Sequence, residues 1–317
     1  MAVTPEVKMV LTAIEAAAVP LSQQSPEDLR QAYSAMAAMA AKEDVRSVMD
    51  RTIPGPGGDI PVRVYVPTQA ASAVSDGTGA PVLVWFHGGG WVIGDLETAD
   101  GTARALANAA DVVVVSVDYR LAPENRFPAA FDDAMAAIQW VVDKGEELGL
   151  DPSRLAVGGD SAGGNLAAVA CQQLRDSGPP IRFQLLVYPV TDARLSSPSI
   201  DENAEGYFLT REVMLWFRDH YLGDRDRDDP RVSPLRASEE ALTGVAPALV
   251  ITAEYDPLRD EGEAYGDRLR AAGVDCEVTR YDSMIHGFFS MKDLIPEGGL
   301  AITQAAQALR SALRSDV

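Results

Sequence analysis

Two segments, PVLVWF (81–86) and DVVVVSV (111–117), are nearly unbroken runs of apolar, mostly β-branched residues. A strand with one wet face alternates apolar and polar side chains, whereas a strand covered on both faces has no such need. The runs therefore predict interior strands of a largely parallel sheet with helices packed on both sides. Between them TADGTARALANAA (98–110) reads as a helical crossover, and VRVYV (62–66) alternates like a strand exposed on one side. Downstream, RLAVGG, RFQLLVYP, APALVITAEYD and VDCEVTRYD read as further strands. Helical patterns separate them, and a last helix spans about 299–314 with Ile302, Ala305, Ala306, Leu309, Ala312 and Leu313 on one face. Strand–helix alternation over this length predicts an α/β domain.

Two regions break the rhythm. The first 45 residues are helical in pattern, with Thr4-Pro5 and Ser25-Pro26 each placing a capping side chain before a first-turn proline. Val7, Val10, Leu11 and Ile14 form one apolar stripe; Leu29, Tyr33 and Met36 form another. Residues 191–246 hold no good strand, but FLTREVMLWFRDHYLG is helical with Thr210 as its cap. The expected organisation is N-terminal cap helices (1–45), a catalytic domain (46–190 and 247–317) and a cap insertion (191–246). TQAASAVSDGTGA (68–80) reads as a flexible loop.

Composition narrows the partners. A net charge of −20 argues against nucleic acid and anionic membranes. No apolar run approaches the roughly 18 residues of a membrane span. Lys8 and Glu15 interrupt the N-terminal apolar residues, so that stretch does not read as a signal peptide, and the expectation is a cytoplasmic protein. Cys171 and Cys276 have no metal-site spacing and are expected to be buried free thiols. No cofactor and no metal are expected.

The chemistry gathers at GGDSAGG (158–164), where Gly159-Asp160-Ser161-Ala162-Gly163 fits G-x-S-x-G between a strand and a helix. A sharp turn there lifts the Ser161 hydroxyl above the strand end, and the helix start offers the Ala162 N–H to a nearby negative oxygen. A phosphate-binding turn is the bland alternative, but the chain has no Walker lysine and no G-x-G-x-x-G after its first strand. An aspartate at 161 would suit epoxide hydrolase or dehalogenase chemistry; serine stands there.

A serine nucleophile needs a base and a carboxylate to orient it. The chain has three histidines, His87, His220 and His286. His286 follows the last strand, where the α/β-hydrolase order puts the base. For the acid, Glu254, Asp256, Asp260 and Glu261 are candidates. Asp256 stands at the strand end and is chosen; the other three are expected to be solvated first-turn charges. Three glycines in HGGGW (87–91) let backbone approach a substrate closely. With Ala162, Gly88 and Gly89 are the expected oxyanion donors, and His87 is expected to brace the loop. Trp91 reads equally as a pocket wall or as a packing residue.

HGGGW, DYRLAPE (118–124), FPAAFDD, GDSAGG, YP (188–189), DPLRDEG and HGF resemble the hormone-sensitive lipase-like family of α/β-hydrolase esterases, in that family's order. The resemblance implies an eight-stranded sheet, a helical cap, and a serine carboxylesterase acting on short- to medium-chain esters without a cofactor. It also implies homodimers formed through the last strand and its adjoining helix. Two other readings keep the fold: a small-molecule receptor that has lost its base, against which His286 stands intact, and amide or carbamate hydrolysis by the same triad. The amphipathic cap helices and the negative charge favour soluble esters over a lipid surface.

Overall fold

Eight strands run through the chain: β1 Ser47–Gly55, β2 Gly58–Val66, β3 Ala80–Phe86, β4 Val113–Val117, β5 Leu150–Asp160, β6 Ile181–Val187, β7 Ala248–Tyr255 and β8 Cys276–Ile285. They belong to a computed structural model that describes residues 2–38, 40–69, 79–176 and 178–314. Most of the segment read as a flexible loop, residues 70–78, lies outside the described residues. One sheet holds all eight strands in the order β1-β2-β4-β3-β5-β6-β7-β8. β2 is antiparallel to both β1 and β4; from β4 onward along the sheet each strand is parallel to the next.

The unbroken runs have the expected cause. Val113, Val115 and Val117 point to one face, with Val82, Val84 and Phe86, against α4 (Ala129–Lys144) and α5 (Ala162–Leu174). Val112 and Val114 point to the other, with Leu83 and Trp85, against α3 (Leu96–Ala110) and α10 (Pro296–Ala312). Each face removes apolar area from water, worth about 1.5–3 kcal/mol per fully buried large aliphatic side chain. The periodicity argument yields seven strands, and β1 is the addition. Its central Asp50, Arg51 and Thr52 are exposed, so this edge strand carries no apolar alternation to read. Pairing with β2 from Ser47–Val66 to Gly55–Gly58 defines it.

The N-terminal helices, α1 (Pro5–Ala17) and α2 (Pro26–Ala37), start where their caps predict. Thr4 Oγ1 accepts the Val7 N–H at 3.3 Å, and Ser25 with Asp28 forms a capping box. α1 buries Val7 and Val10. α2 docks differently from its apolar stripe, because Met36 is exposed and the helix buries no side chain fully. Arg30 holds it instead, donating to the Val92 and Ala122 carbonyls at 2.8 Å each and pairing with Glu124 at 2.7 Å.

Between β6 and β7 the chain makes three helices, α6 (Pro198–Glu202), α7 (Arg211–Leu222) and α8 (Glu239–Leu242); α9 (Arg259–Ala271) then leads to β8. Thr210 caps α7 through the Val213 N–H at 3.2 Å. Both cysteines are buried free thiols. Among the described residues no helix is long and apolar enough to cross a membrane.

Candidate active site

Ser161, Asp256 and His286 each follow the last residue of a parallel strand: Asp160 of β5, Tyr255 of β7 and Ile285 of β8. All three therefore emerge at the carboxyl edge of one sheet, where open α/β sheets bind their ligands. Ser161 has φ 55° and ψ −116°, a conformation that non-glycine residues rarely adopt. The turn is held from both sides: the Ser161 N–H donates to the Val187 carbonyl at 2.9 Å, and its own carbonyl accepts from Val190 at 3.2 Å. A Cβ on Gly163 would lie 1.9 Å from the Phe86 carbonyl oxygen, so only glycine lets α5 start this close to β3.

The acid–base pair is formed. Nδ1–H of His286 donates to Asp256 Oδ2 at 2.7 Å, and Asp256 Oδ1 accepts the Leu258 N–H at 2.9 Å. Asp256 is fully buried and His286 nearly so. With Nδ1 committed, the Nε2 lone pair of His286 is free to accept a proton. The Tyr188 ring, following β6, packs on the imidazole with centroids 4.4 Å apart. No direct hydrogen bond links Ser161 Oγ to His286; such bonds are often long before substrate arrives.

The glycine loop departs from expectation at one position. The Gly88 N–H donates to Asp160 Oδ1 at 3.0 Å, so it is not available to an oxyanion. The N–H groups of Gly89, Gly90 and Ala162 find no acceptor among the described residues. Gly89 and Gly90 take φ 112° and 57°, a region that favours glycine. Of the three expected donors, Gly88 is thus already bonded, while Gly89 and Ala162 are joined by Gly90 in having no acceptor among the described residues. The sequence reading passed over Asp160, the variable residue of G-x-S-x-G, which ties the nucleophile turn to the loop. Loss of hydration pushes the Asp160 carboxyl up to about 6.

His87 braces the loop as expected. Its Nδ1–H donates to the Gly88 carbonyl at 2.7 Å and its ring stacks on Tyr119 at 4.3 Å. Burial pushes it down to about 4, so it stays neutral. His220 bonds the Trp216 carbonyl within α7. Trp91 is a packing residue rather than an open pocket wall: it is buried and stacked on Tyr221 of α7, 4.4 Å away and nearly parallel. Among the described residues no group of three or more His, Cys, Asp or Glu could hold a metal ion.

Residues 83–290 match the family described as the alpha/beta hydrolase fold. This chain belongs to that family. It is 46% identical over 260 residues to the carboxylesterase NlhH of Mycobacterium tuberculosis, covering 81% of this chain and 80% of that one. It is 41% identical over 261 residues to an ethyl acetate hydrolase of Pseudomonas putida, with 81% and 80% covered. Among solved structures it superposes, at a TM-score of 0.92 and 42% identity, on an ester hydrolase from the metagenome of Lake Arreo complexed with a bipyridine phosphonate derivative; 98% of each chain is covered.

The hydrolase uses the three rejected acids differently from the solvated charges expected. Glu254 accepts the Ser283 N–H at 2.7 Å. Asp260 accepts the Ser199 N–H at 2.8 Å. Glu261 is 1% exposed, and its Oε1 accepts from the Thr191 and Asp192 N–H groups at 2.7 and 3.1 Å. Burial pushes the Glu261 carboxyl up to about 8. An unfolded glutamate releases its proton near pH ~4.3. Between these limits the folded state keeps a proton that the unfolded chain has lost, so this group's stabilisation, full below about pH 4, is lost as pH rises toward 8. The urea midpoint should therefore fall between about pH 5 and pH 8. Glu261→Gln cannot ionise and keeps an acceptor for both N–H groups, so its midpoint should fall less. Equal slopes for the two proteins would show that Glu261 is ionised throughout.

Proposed function

We infer that this hydrolase is a serine carboxylesterase in which Ser161 is the nucleophile, His286 the base and Asp256 the acid. The observation that carries the reading is the buried 2.7 Å Asp256–His286 hydrogen bond at the same sheet edge as the Ser161 turn. The imidazole takes the serine proton through Nε2 as the hydroxyl attacks the ester carbonyl, and Asp256 stabilises the imidazolium that results. The N–H groups of Gly89, Gly90 and Ala162 receive the oxyanion. His286 then returns its proton to the leaving alcohol, and water repeats the sequence on the acyl-enzyme. Short- to medium-chain esters fit this reading, supported by the likeness to an ethyl acetate hydrolase. A cytoplasmic location and pairing of two copies through β8 belong to the same proposal.

The N-terminal helices and residues 191–246 form a cap over this edge. Four contacts support that division. Arg30 of α2 grips the Val92 carbonyl just past the glycine loop. A Cβ on Gly90 would lie 2.2 Å from the Phe217 ring of α7, so that ring covers the loop. Asn203 and Ser199 donate to the carbonyls of Asp256 and Pro257 at 3.2 and 2.6 Å.

Ser161→Ala should abolish hydrolysis of a p-nitrophenyl short-chain ester while thermal unfolding stays close to wild type. Retained turnover would sink the nucleophile assignment.

Asp256→Asn should favour the wrong imidazole tautomer and lose on the order of 10³- to 10⁴-fold in kcat. Asp260→Asn, whose side-chain carbonyl still accepts from Ser199, should lose under about tenfold, since it removes only a charge near a helix start. A reversed ranking on the same ester would move the acid to Asp260.

Deleting residues 1–40 should shift the preference among p-nitrophenyl esters of different chain length more than it lowers sheet stability. An unchanged chain-length profile would separate these helices from the site.

A further inference from the structure

We propose that Glu254 is a positioning residue for the His286 base, acting through a bulge in β8 that brings the histidine level with Asp256. The inference rests on the triad proposed above. β7 and β8 pair residue for residue from Ala248–Cys276 to Ala253–Tyr281, always 28 positions apart. The pairing then shifts, and Tyr255 stands opposite Ile285, 30 positions apart. β8 therefore carries two extra residues between Tyr281 and Ile285.

The consequence reaches the next residue on each strand. With the shift, His286 stands level with Asp256. Without it, His286 would stand level with Leu258, two residues beyond the acid, or about 6–7 Å at the rise of a strand. A 2.7 Å hydrogen bond does not survive such a displacement. The bulge thus sets whether acid and base meet.

The bulge has a defined fastening. Ser283 lies within it at φ 64°, in the left-handed region that non-glycine residues enter only when held there. Its N–H, turned out of the strand ladder, donates to Glu254 Oε2 at 2.7 Å. Glu254 stands on β7 between the last regular pair and the shifted one, two residues before Asp256. One strand end therefore supplies both the acid and the carboxylate that fixes the strand bearing the base. Neither Glu254 nor Ser283 is fully exposed, so the bond is partly sheltered from water. A bond from an N–H to a carboxylate is stronger than one between neutral groups, which suits holding a residue in an unfavourable conformation.

Steady-state kinetics on one p-nitrophenyl ester test this with Glu254→Ala, Glu254→Gln, Asp256→Asn and the double variant Glu254→Ala/Asp256→Asn. Glu254→Ala should lower kcat roughly 10- to 100-fold, the scale of a misplaced catalytic group, with KM within about twofold. Glu254→Gln keeps an oxygen for the Ser283 N–H and should stay within about fivefold of wild type. In the Asp256→Asn background, Glu254→Ala should add less than about threefold, because both changes disable the same imidazole. If Glu254→Ala does not fold, Glu254→Asp, which withdraws the carboxylate by one methylene, is measured in its place and should also lose kcat. The proposal is overturned by wild-type kcat in Glu254→Ala, by Glu254→Gln as impaired as the alanine variant, or by the full penalty recurring in the double variant. Failure of the triad itself reads out separately, as wild-type kcat in Asp256→Asn.

Discussion

The contact on which the site depends is the backbone crossing at the Ser161 turn. β5, the start of α5 and the end of β3 approach so closely that a Cβ on Gly159 would lie 2.3 Å from the Gly163 carbonyl carbon, and one on Gly163 would strike the Phe86 oxygen. A turn this tight forces Ser161 to positive φ, at a cost on the order of 1–3 kcal/mol. The sheet absorbs that cost through the bonds to Val187 and Val190 and through the buried aliphatic layers on both faces. Three results follow from one geometry. The hydroxyl stands above the strand end, the Ala162 N–H is left without a helical partner, and the Asp160 side chain reaches Gly88. Nucleophile turn and glycine loop behave as a single unit for that reason.

Buried carboxylates do the remaining work at this edge. Loops that leave parallel strands have N–H groups with no ladder partner, and burying them unpaired is costly. Asp160 takes the N–H of Gly88, Asp256 that of Leu258, and Glu261 those of Thr191 and Asp192. Accepting these bonds fixes each loop, although burial still raises Asp160 and Glu261 above the usual carboxyl range. Of the acids in DPLRDEG, Asp256 and Glu261 are buried and Asp260 is partly exposed, and all three accept backbone N–H groups. One orients the base, and its neighbours hold the loops that surround it.

Much of this was legible in the sequence, for physical reasons. Val112–Val117 announced a strand covered on both faces because no polar residue interrupts it at the required period. Thr4, Ser25 and Thr210 announced helix starts because an orphaned N–H needs a nearby side-chain oxygen. Ser161, Asp256 and His286 could be placed at one sheet edge because each follows a strand, and strands are visible. β1 stayed hidden because its middle faces water. The job of Gly88 stayed hidden because three adjacent glycines have identical propensities, and only the folded chain, through the Asp160 bond and the positive φ of Gly89 and Gly90, distinguishes the first from the other two. The roles of Glu254 and Glu261 depend on partners 29 and 70 positions away, which no local pattern encodes.

Sheet and cap divide the chemistry in a way that their contacts explain. The groups that must be placed to a fraction of an ångström all sit on strand ends, backed by fully buried layers that cannot shift without opening a cavity. The proposed cap is fastened differently: Arg30 on α2 and the buried Ser199 and Asn203 give polar ties, while Ile200, Met214, Phe217, Tyr221 and Leu222 pack into the same apolar core as the sheet. Exposed side chains of the proposed cap, such as Met36 on α2, can be exchanged without disturbing that core or the Asp256–His286 bond. A change at Gly163 or in the β8 bulge cannot reshape the site without moving the triad.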